Sequence, residues 1–480
     1  MENLKQVIAE LSQIVGEYHV LHKDVDLALY DCDAETLDVA RPDLVVLPAT
    51  SEEVAAVIKL ANRHKIPFTP RGAGTGLSGG ATTVMGGISL VLTRMNKIIS
   101  IDPDEQLAHV QIGATNTSVS KSSEKFGLYF APDPSSQVAS TIGGNMAENA
   151  GGAHTLKYGM TTSNILGAKF ILPNGDTTTI GGPYRDSLSM DLLGLIVGSE
   201  GTLGIATEAY LRLTPKAKSV ETMLAYFNSL EEGGQAVSDI IAHGIIPAAM
   251  EMIDRLSFGC VEESLHLGLN LNAGALLIVE LDGPPEVIHM ERESVESIAK
   301  TNAAIEIKWA ADAYERTMIW KARKSAFGAL GRIAPHAYVL DGVIPRSRLK
   351  EAIIEIDKIA KHYELTISNI YHAGDGNLHP ALLYDRSKEK EVKAVLLAAK
   401  EILETCVRLG GTLSGEHGIG VEKLLEMSYA FAPEDLEAMM RIKRSFNPQD
   451  LCNPGKLLPN PKSCGESGKR PLLRYQLSAC

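Results

Sequence analysis

No two of the six cysteines (Cys32, Cys260, Cys406, Cys452, Cys464 and Cys480) stand in a C-x-x-C pair. That excludes an iron–sulfur pattern or a zinc ribbon drawn from this chain alone. Scattered, reduced thiols of a cytosolic protein are the simplest reading. Basic charge is short as well: 46 Lys and Arg stand against 59 Asp and Glu, a net charge of −13. Nucleic acid and anionic membrane surfaces demand clustered cations, so neither is an expected partner. No apolar run approaches the ~18 residues of a membrane span. The start, Met1-Glu-Asn-Leu-Lys, is neither Arg-rich nor followed by an apolar signal core. A soluble intracellular protein is expected. With 45% hydrophobic and 22% charged residues, disorder and coiled coil are also excluded. At ~150 residues per domain the length predicts two or three domains.

What is abundant is glycine, and it is unevenly placed. Between Gly72 and Gly204 lie 22 of the 43 glycines. Glycine weakens helices and strands, so such density means backbone bent for a purpose. The stretch also contains ISLVL, AKFIL and LLGLIV, apolar runs that a loose linker would lack. Close approach of main chain to a large ligand is the reading that remains.

Along the chain, Leu4, Val7, Ile8, Leu11, Ile14 and Val15 repeat at helical spacing, LVVLP reads as a strand, and a helix begins at Ser51 as N-cap. Strands are expected at Ile66–Thr69, Ile88–Leu92 and 107–112, and a helix over 117–126. The Gly-rich stretches at 70–80, 140–152 and 198–205 read as loops. Beyond Pro215 glycine thins. Strands (Glu221–Phe227, Ala275–Leu281, Ala304–Trp309, Tyr338–Ile344, Thr366–His372) then alternate with helices (Leu230–Ala242, Val287–Lys300, Arg348–His362, Lys388–Leu409). That alternation predicts an α+β second domain. Residues 460–480 are polar and irregular and are expected to form a flexible tail.

Gly74-Thr-Gly76-Leu-Ser-Gly79 satisfies G-x-G-x-x-G, but that fingerprint needs a following helix and an acidic residue about 20 residues on. Here Thr, Thr, Gly and Gly lead into a strand, and Arg94, Met95 and Asn96 offer no carboxylate. A nicotinamide site is rejected. Successive backbone N–H groups still make a nest for a pyrophosphate-like ligand. Pro70-Arg-Gly-Ala-Gly-Thr-Gly, Pro132-Asp-Pro-Ser-Ser, Thr141-Ile-Gly-Gly-Asn and Gly198-Ser-Glu-Gly-Thr-Leu-Gly resemble the FAD-binding domain of the vanillyl-alcohol-oxidase/PCMH superfamily. Residues 35–459 are similar to its branch of flavin-carrying glycolate oxidase chains and D-lactate dehydrogenases. The resemblance implies an α+β protein: a two-lobed PCMH-type FAD-binding domain over 1–217, then a cap or substrate domain with an antiparallel sheet over 218–459. The C-terminal segment of the latter would return to the flavin. It further implies that Arg71, Gly72, Ala73, Gly74, Thr75, Gly76 and Ser78 cradle the pyrophosphate of FAD. Pro132, Asp133, Gly143, Gly144 and Asn145 would line the flavin and ribityl chain, and Glu200, Gly201, Gly204 and Ile205 the adenosine side, with Asn453 as a further cofactor contact. Some relatives tether FAD through a histidine where this chain has Thr75, so non-covalent FAD is implied.

In the second half, Tyr371-His-Ala-Gly-Asp-Gly-Asn-Leu-His reads as two strands around an Ala-Gly-Asp-Gly turn. Such a hairpin brings His372 and His379 to one end of a sheet. Gly415-Glu-His-Gly-Ile-Gly sets Glu416 and His417 in a turn after a helix. Two histidines and a carboxylate form a divalent-metal set open to Zn²⁺, Mn²⁺ or Fe²⁺. The resemblance implies His372, His379 and Glu416 as ligands of zinc or manganese, His417 as catalytic base and Asn377 as a nearby polar contact. Arg323, from its residues alone, reads as a solvated charge on a helix; the resemblance makes it the anchor of a substrate carboxylate. Relatives for dicarboxylates carry an added basic residue in the region of Val339 and Leu340, so a monocarboxylate is expected.

The expected activity is therefore FAD-dependent oxidation of glycolate or D-lactate to the 2-oxo acid. An external acceptor (a quinone, a cytochrome, an electron-transfer flavoprotein or an iron–sulfur subunit) would take the electrons. The site is cytoplasmic in expectation, with membrane contact only through that acceptor, and a homodimer is left open. Rival readings are a D-2-hydroxyglutarate dehydrogenase, a metallohydrolase using the His/His/Glu set, and a non-catalytic FAD subunit of a larger complex.

Overall fold

The computed structural model describes residues 4–184 and 190–459; the expected tail, 460–480, lies outside the described residues. Contacts divide the chain into two units. The first takes residues up to Gly151, Gly159–Lys216 and those from Glu416 on; the second takes Gly152–Tyr158 and Ala217–Gly415. No described helix is long and apolar enough to cross a membrane.

The first unit holds two main sheets. Strands β1 (Val20–Leu21), β2 (Leu44–Val46), β3 (Phe68–Arg71) and β4 (Ile88–Val91) order as β1-β2-β4-β3, with β2 and β3 parallel to β4. Strands β5 (Ile98–Asp102) and β6 (Leu107–Gln111) precede the short β7 (Leu128–Tyr129). Then come β8 (Ile165–Ile171), β9 (Thr177–Gly181), β10 (Ile205–Arg212) and β11 (Thr214–Pro215). The larger sheet runs β5-β6-β10-β8-β9, all antiparallel, and β11 pairs β7. The helix Ser51–Arg63 buries Val54, Val57, Ile58 and Ala61 on this core, as its period predicts. Its cap is Thr50 and not Ser51: Thr50 Oγ1 accepts the Glu53 N–H at 3.2 Å, and the Ser51 hydroxyl donates to Thr207 at 2.9 Å.

The stretch expected to be a loop at 140–152 contains a helix, Ile142–Glu148. Thr141 caps it by accepting the Gly144 N–H, and Ile142 and Met146, four apart, go into the core. Capping and burial outweigh the propensity lost at two glycines.

The second unit is one antiparallel sheet with helices against it. Its strands are β12 (Ser219–Phe227), β13 (Ala249–Asp254), β14 (Ala275–Gly283), β15 (Glu306–Trp309), β16 (His336–Val339), β17 (Gly342–Val343), β18 (Thr366–His372) and β19 (Asn377–Tyr384). They order as β15-β12-β14-β13-β18-β19-β16, with β17 also on β19. The strand expected over Tyr338–Ile344 is broken at Leu340-Asp341, where both residues turn to other partners. Strand β13 and the helices Arg255–Leu265 and Pro433–Phe446 have no counterpart among the elements expected from sequence.

Candidate functional site

The β18–β19 hairpin forms around Ala373–Gly376 with His372 opposite Asn377 and Ile370 opposite His379. Residues 370 and 372 share a face, so the register carries both imidazoles to that face. Their rings stand at 89° with centroids 4.9 Å apart, and both side chains are buried. Each ring is fixed through Nδ1. His379 meets the Leu340 carbonyl at 3.0 Å, and a carbonyl can only accept, so Nδ1 carries the proton. His372 Nδ1 meets Glu251 Oε1 at 2.6 Å, which Glu251 reaches from the neighbouring strand in direct register. In both rings Nδ1 is the nitrogen that carries the proton, the tautomer in which a histidine could bind a metal through Nε2. The ligand atoms of His372 and His379 approach within 4.8 Å, as do those of Asp341 and His379.

Glu251 has a second task. Its Oε2 accepts Arg323 Nε at 2.6 Å and lies 2.5 Å from Nη2. Arg323 is 3% exposed and Glu251 is fully buried, so the reading of Arg323 as a solvated helical charge is overturned. The helix Ala313–Ala329 turns Ile319, Ala322, Arg323 and Ala326 inward together. Burial alone would raise the Glu251 carboxyl, but the charge of Arg323 and the contact with His372 outweigh it and hold it below the usual carboxylate range. Glu251 thus ties the guanidinium to the first imidazole. Glu251 engages the Nε/Nη2 edge of the guanidinium.

Asp341 fixes the approach to the next motif. Its Oδ2 accepts the Ser414 hydroxyl at 2.5 Å and the Gly415 N–H at 3.0 Å. Asn377 packs against Gly415, where an added Cβ would come within 2.5 Å of Asn377 Nδ2. Glu416 and His417 are the next two residues of the chain. In the first unit Glu416 Oε2 accepts the Gly151 N–H at 3.1 Å.

The segment Gly152–Tyr158 joins the second unit through polar contacts. His154 Nε2 lies 3.1 Å from Glu280 Oε1, and Trp320 Nε1 donates to Glu280 Oε2 at 2.6 Å. Lys157 and Tyr158 both reach the Asp282 carboxylate.

In the first unit the loop after β3 reaches β4 without a helix, so the rejected dinucleotide fingerprint has no helix to open. Gly74 has φ +73°, and a Cβ there would sit 2.2 Å from Arg71 Nη2. Arg71 folds under its own loop, donating to the Cys32 carbonyl at 2.9 Å. Gly72 lies against Thr141, and Gly201 against Pro70, so the three Gly-rich stretches meet by backbone. Asn145 donates to Asn116, which donates to the Pro132 carbonyl at 2.9 Å. The Gly76 carbonyl accepts Ala34 N–H, and Ile205 opens β10 beside Gly204. Asn453 spans the Gly80 and Glu200 carbonyls, and the buried Lys456 ammonium donates to Gly80 and Thr82. Burial brings Lys456 down to about 8 and Asp33 up to about 6. The hydroxyls of Ser78 and Ser140 are buried with no protein partner, donors that an inserted polar ligand would satisfy. This glycine-lined, hydroxyl-bearing wall fits a phosphate-containing cofactor. Glu200 differs from the rest: its carboxylate takes the N–H groups of Ile419 and Gly420.

The sequence reading missed Glu251, Asp341, Asn116 and Lys456. The available signal was a lone carboxylate inside an apolar strand, Ala-Met-Glu251-Met-Ile, since burying a charge demands a partner.

The FAD-linked oxidase C-terminal domain matches residues 216–457, and an FAD binding domain matches residues 42–181. Glycolate oxidase subunit GlcD of Escherichia coli (strain K12) is 42% identical over 462 residues, covering 96% of this chain and 93% of that protein. The Bacillus subtilis (strain 168) protein of the same name is 38% identical, covering 94% and 97%. D-lactate dehydrogenase of Anaerostipes hadrus is 32% identical, covering 87% and 90%. Among solved structures, p-cresol methylhydroxylase with substrate bound aligns at a TM-score of 0.79 and 19% identity, covering 95% of this chain and 97% of that one. An alkyldihydroxyacetonephosphate synthase aligns at 0.74 and 22%, covering 94% and 84%. At these identities the structural likeness concerns the fold alone.

Proposed function

Since the chain belongs to the FAD-linked oxidases, we propose that it oxidises glycolate or a D-2-hydroxy acid such as D-lactate to the 2-oxo acid, using non-covalently held FAD. The observation that carries this reading is the buried line Arg323–Glu251–His372 with His379 beside it. A cation for a carboxylate and imidazoles for a hydroxyl are the two recognition elements of a 2-hydroxy acid.

Arg323 would hold the carboxylate on its terminal edge. His372, His379 and Glu416 would hold a divalent cation, zinc or manganese. His417 would take the hydroxyl proton, and Asn377 would line the approach. FAD, when bound, accepts the α-hydrogen as hydride, and the cation, when bound, lowers the pKa of the hydroxyl. The remaining cofactor wall would be Arg71–Gly76, Ser78, Pro132, Asp133, Gly143–Asn145, Gly201, Gly204, Ile205 and Asn453. Among the described residues the cysteines are unpaired, and burial pushes the Cys406 thiol up to about 12. Electrons would pass outward to a quinone, a cytochrome, an electron-transfer flavoprotein or an iron–sulfur subunit. A place within a larger complex accords with relatives named as subunits.

The test is anaerobic mixing of the FAD-loaded protein with glycolate, D-lactate, L-lactate and D-2-hydroxyglutarate while following the visible flavin bands. Glycolate and D-lactate should bleach them. Bleaching by L-lactate and not D-lactate would refute the stereochemical reading, and a preference for D-2-hydroxyglutarate the monocarboxylate reading. A protein with no flavin bands at all after supply of FAD would leave a metallohydrolase as the better account.

A further inference from the structure

Glu200 is buried in the first unit and Glu148 is partly buried there, and the functional reading so far uses neither for chemistry. Glu200 sits in the left-handed region at φ +52°, a strained conformation for a side-chain-bearing residue. Everything around it holds it there. Its N–H donates to the Ala147 carbonyl at 2.9 Å, and its carbonyl accepts Asn453 Nδ2 at 2.7 Å. The carboxylate points at one target: Oε1 accepts the Ile419 N–H at 2.7 Å and Oε2 the Gly420 N–H at 2.8 Å.

Those two amides belong to the turn that carries Glu416 and His417. Other groups fix the same turn. Lys423 Nζ donates to the Gly418 carbonyl at 2.9 Å, and the N–H groups of Val421 and Glu422 both reach the Ser78 carbonyl. Gly418 has φ +85°, and a Cβ on it would come within 2.1 Å of Glu148 Oε2 and 2.9 Å of Glu200 Oε1. The backbone is therefore pressed directly onto the carboxyl pair.

The two carboxyls are not equivalent. Glu148 Oε2 is buried with no hydrogen-bond partner. Burial, then the neighbouring Glu200 charge, push Glu148 well above the usual carboxylate range. Burial also raises Glu200, but the two backbone donors, then the cations of Lys456 and Lys423, pull it back.

We propose that Glu200 is a positioning residue, whose two-point carboxylate grip on the Ile419 and Gly420 amides sets the backbone from which Glu416 and His417 project. This rests on the reading of His417 as the base of a 2-hydroxy-acid dehydrogenase. It gives the Gly-Ser-Glu-Gly motif a task beyond contact with the adenosine side of FAD.

Glutamine at 200 keeps the size but sets an NH₂ against one of the two N–H donors, so Glu200→Gln should loosen the turn. Glu148→Gln is isosteric and leaves the grip of Glu200 on the Ile419 and Gly420 amides in place, so it should leave the turn as it is. In Glu200→Gln, kcat for the 2-hydroxy acid should fall about 10- to 100-fold, as expected for a displacement of about 1 Å. KM should change less than about threefold and the visible FAD spectrum not at all, while the α-deuterium isotope effect rises as hydride transfer becomes rate-limiting. Hydrogen exchange of the peptide spanning 416–422 should be faster in Glu200→Gln and unchanged in Glu148→Gln. That exchange readout stands even if no 2-hydroxy acid reduces the wild-type flavin, so failure of the functional reading is distinguishable from failure of this one. Unchanged exchange in Glu200→Gln, or equal damage from both variants, overturns the proposal. Should Glu200→Gln not fold, Glu200→Asp keeps the charge on a shorter arm. It should bind FAD and exchange faster at 416–422, and wild-type exchange and rate there would equally overturn the proposal.

Discussion

Glu251→Ala is expected to destabilise the second unit by about 3–5 kcal/mol, the range for removing one partner of a buried ion pair. The reason is what remains. Arg323 is 3% exposed and contacts Glu251 through both Nε and Nη2, so the variant strands a buried guanidinium. His372 loses the acceptor of its Nδ1–H at the same time. Thermal unfolding of the FAD-loaded protein reads this as a loss of roughly 6–20 °C at 2–4 °C per kcal/mol. The double variant Glu251→Leu/Arg323→Met separates charge from packing. Exchanging a buried pair for apolar residues of similar volume is often neutral, so most of the stability should return. Flavin reduction by glycolate should not return, because the cation for the carboxylate is gone. If Glu251→Ala melts within about 2 °C of wild type, the pair is not the anchor of this sheet face. If the double variant reduces flavin at the wild-type rate, Arg323 does not hold substrate.

Glu251 also marks the limit of what the sequence discloses. The hairpin at 366–384 is legible because its signal is local: β-branched and apolar runs on either side of Ala-Gly-Asp-Gly end where the strands end. The helix Leu230–Ala242 is legible for the same reason, with Ser229 capping it and the apolar period matching the buried face. The chemistry-bearing motifs at 372–379 and 415–420 stand out because glycine brackets them. Glu251 has no such marker. Its partners are 72 and 121 residues away, and strand β13, only Ala249–Asp254, is too short for a period to declare itself. The same holds for Asp341, whose role depends on a strand broken to face Ser414 and Gly415. Arg323 misleads in the other direction: helical spacing alone does not tell a solvated arginine from one turned inward with Ile319 and Ala322. Long-range pairing between buried polar groups is set by register and tertiary packing, so a carboxylate in an apolar run shows that a partner exists but not which one.

His417→Ala should nearly abolish flavin reduction by glycolate, by about 10²- to 10⁴-fold, the contribution of a positioned general base. It should leave the visible FAD spectrum intact. The turn has anchors apart from the imidazole: Glu416 is held on the Gly151 amide, the Gly418 carbonyl on Lys423, and the Ile419 and Gly420 amides on Glu200. Removing the ring is therefore expected to take away the proposed proton acceptor while these anchors hold the backbone. Stopped-flow reduction under anaerobic conditions gives the rate, and reduction by dithionite at the wild-type extent shows the flavin still competent. His372→Ala supplies the contrast. That variant should lose bound divalent cation by elemental analysis, whereas His417→Ala should retain it. Three outcomes divide the assignment. Slow reduction with FAD and cation both retained places the proton transfer on His417. Reduction at the wild-type rate moves the base elsewhere in the site. Loss of cation along with the rate makes His417 a ligand and not the base.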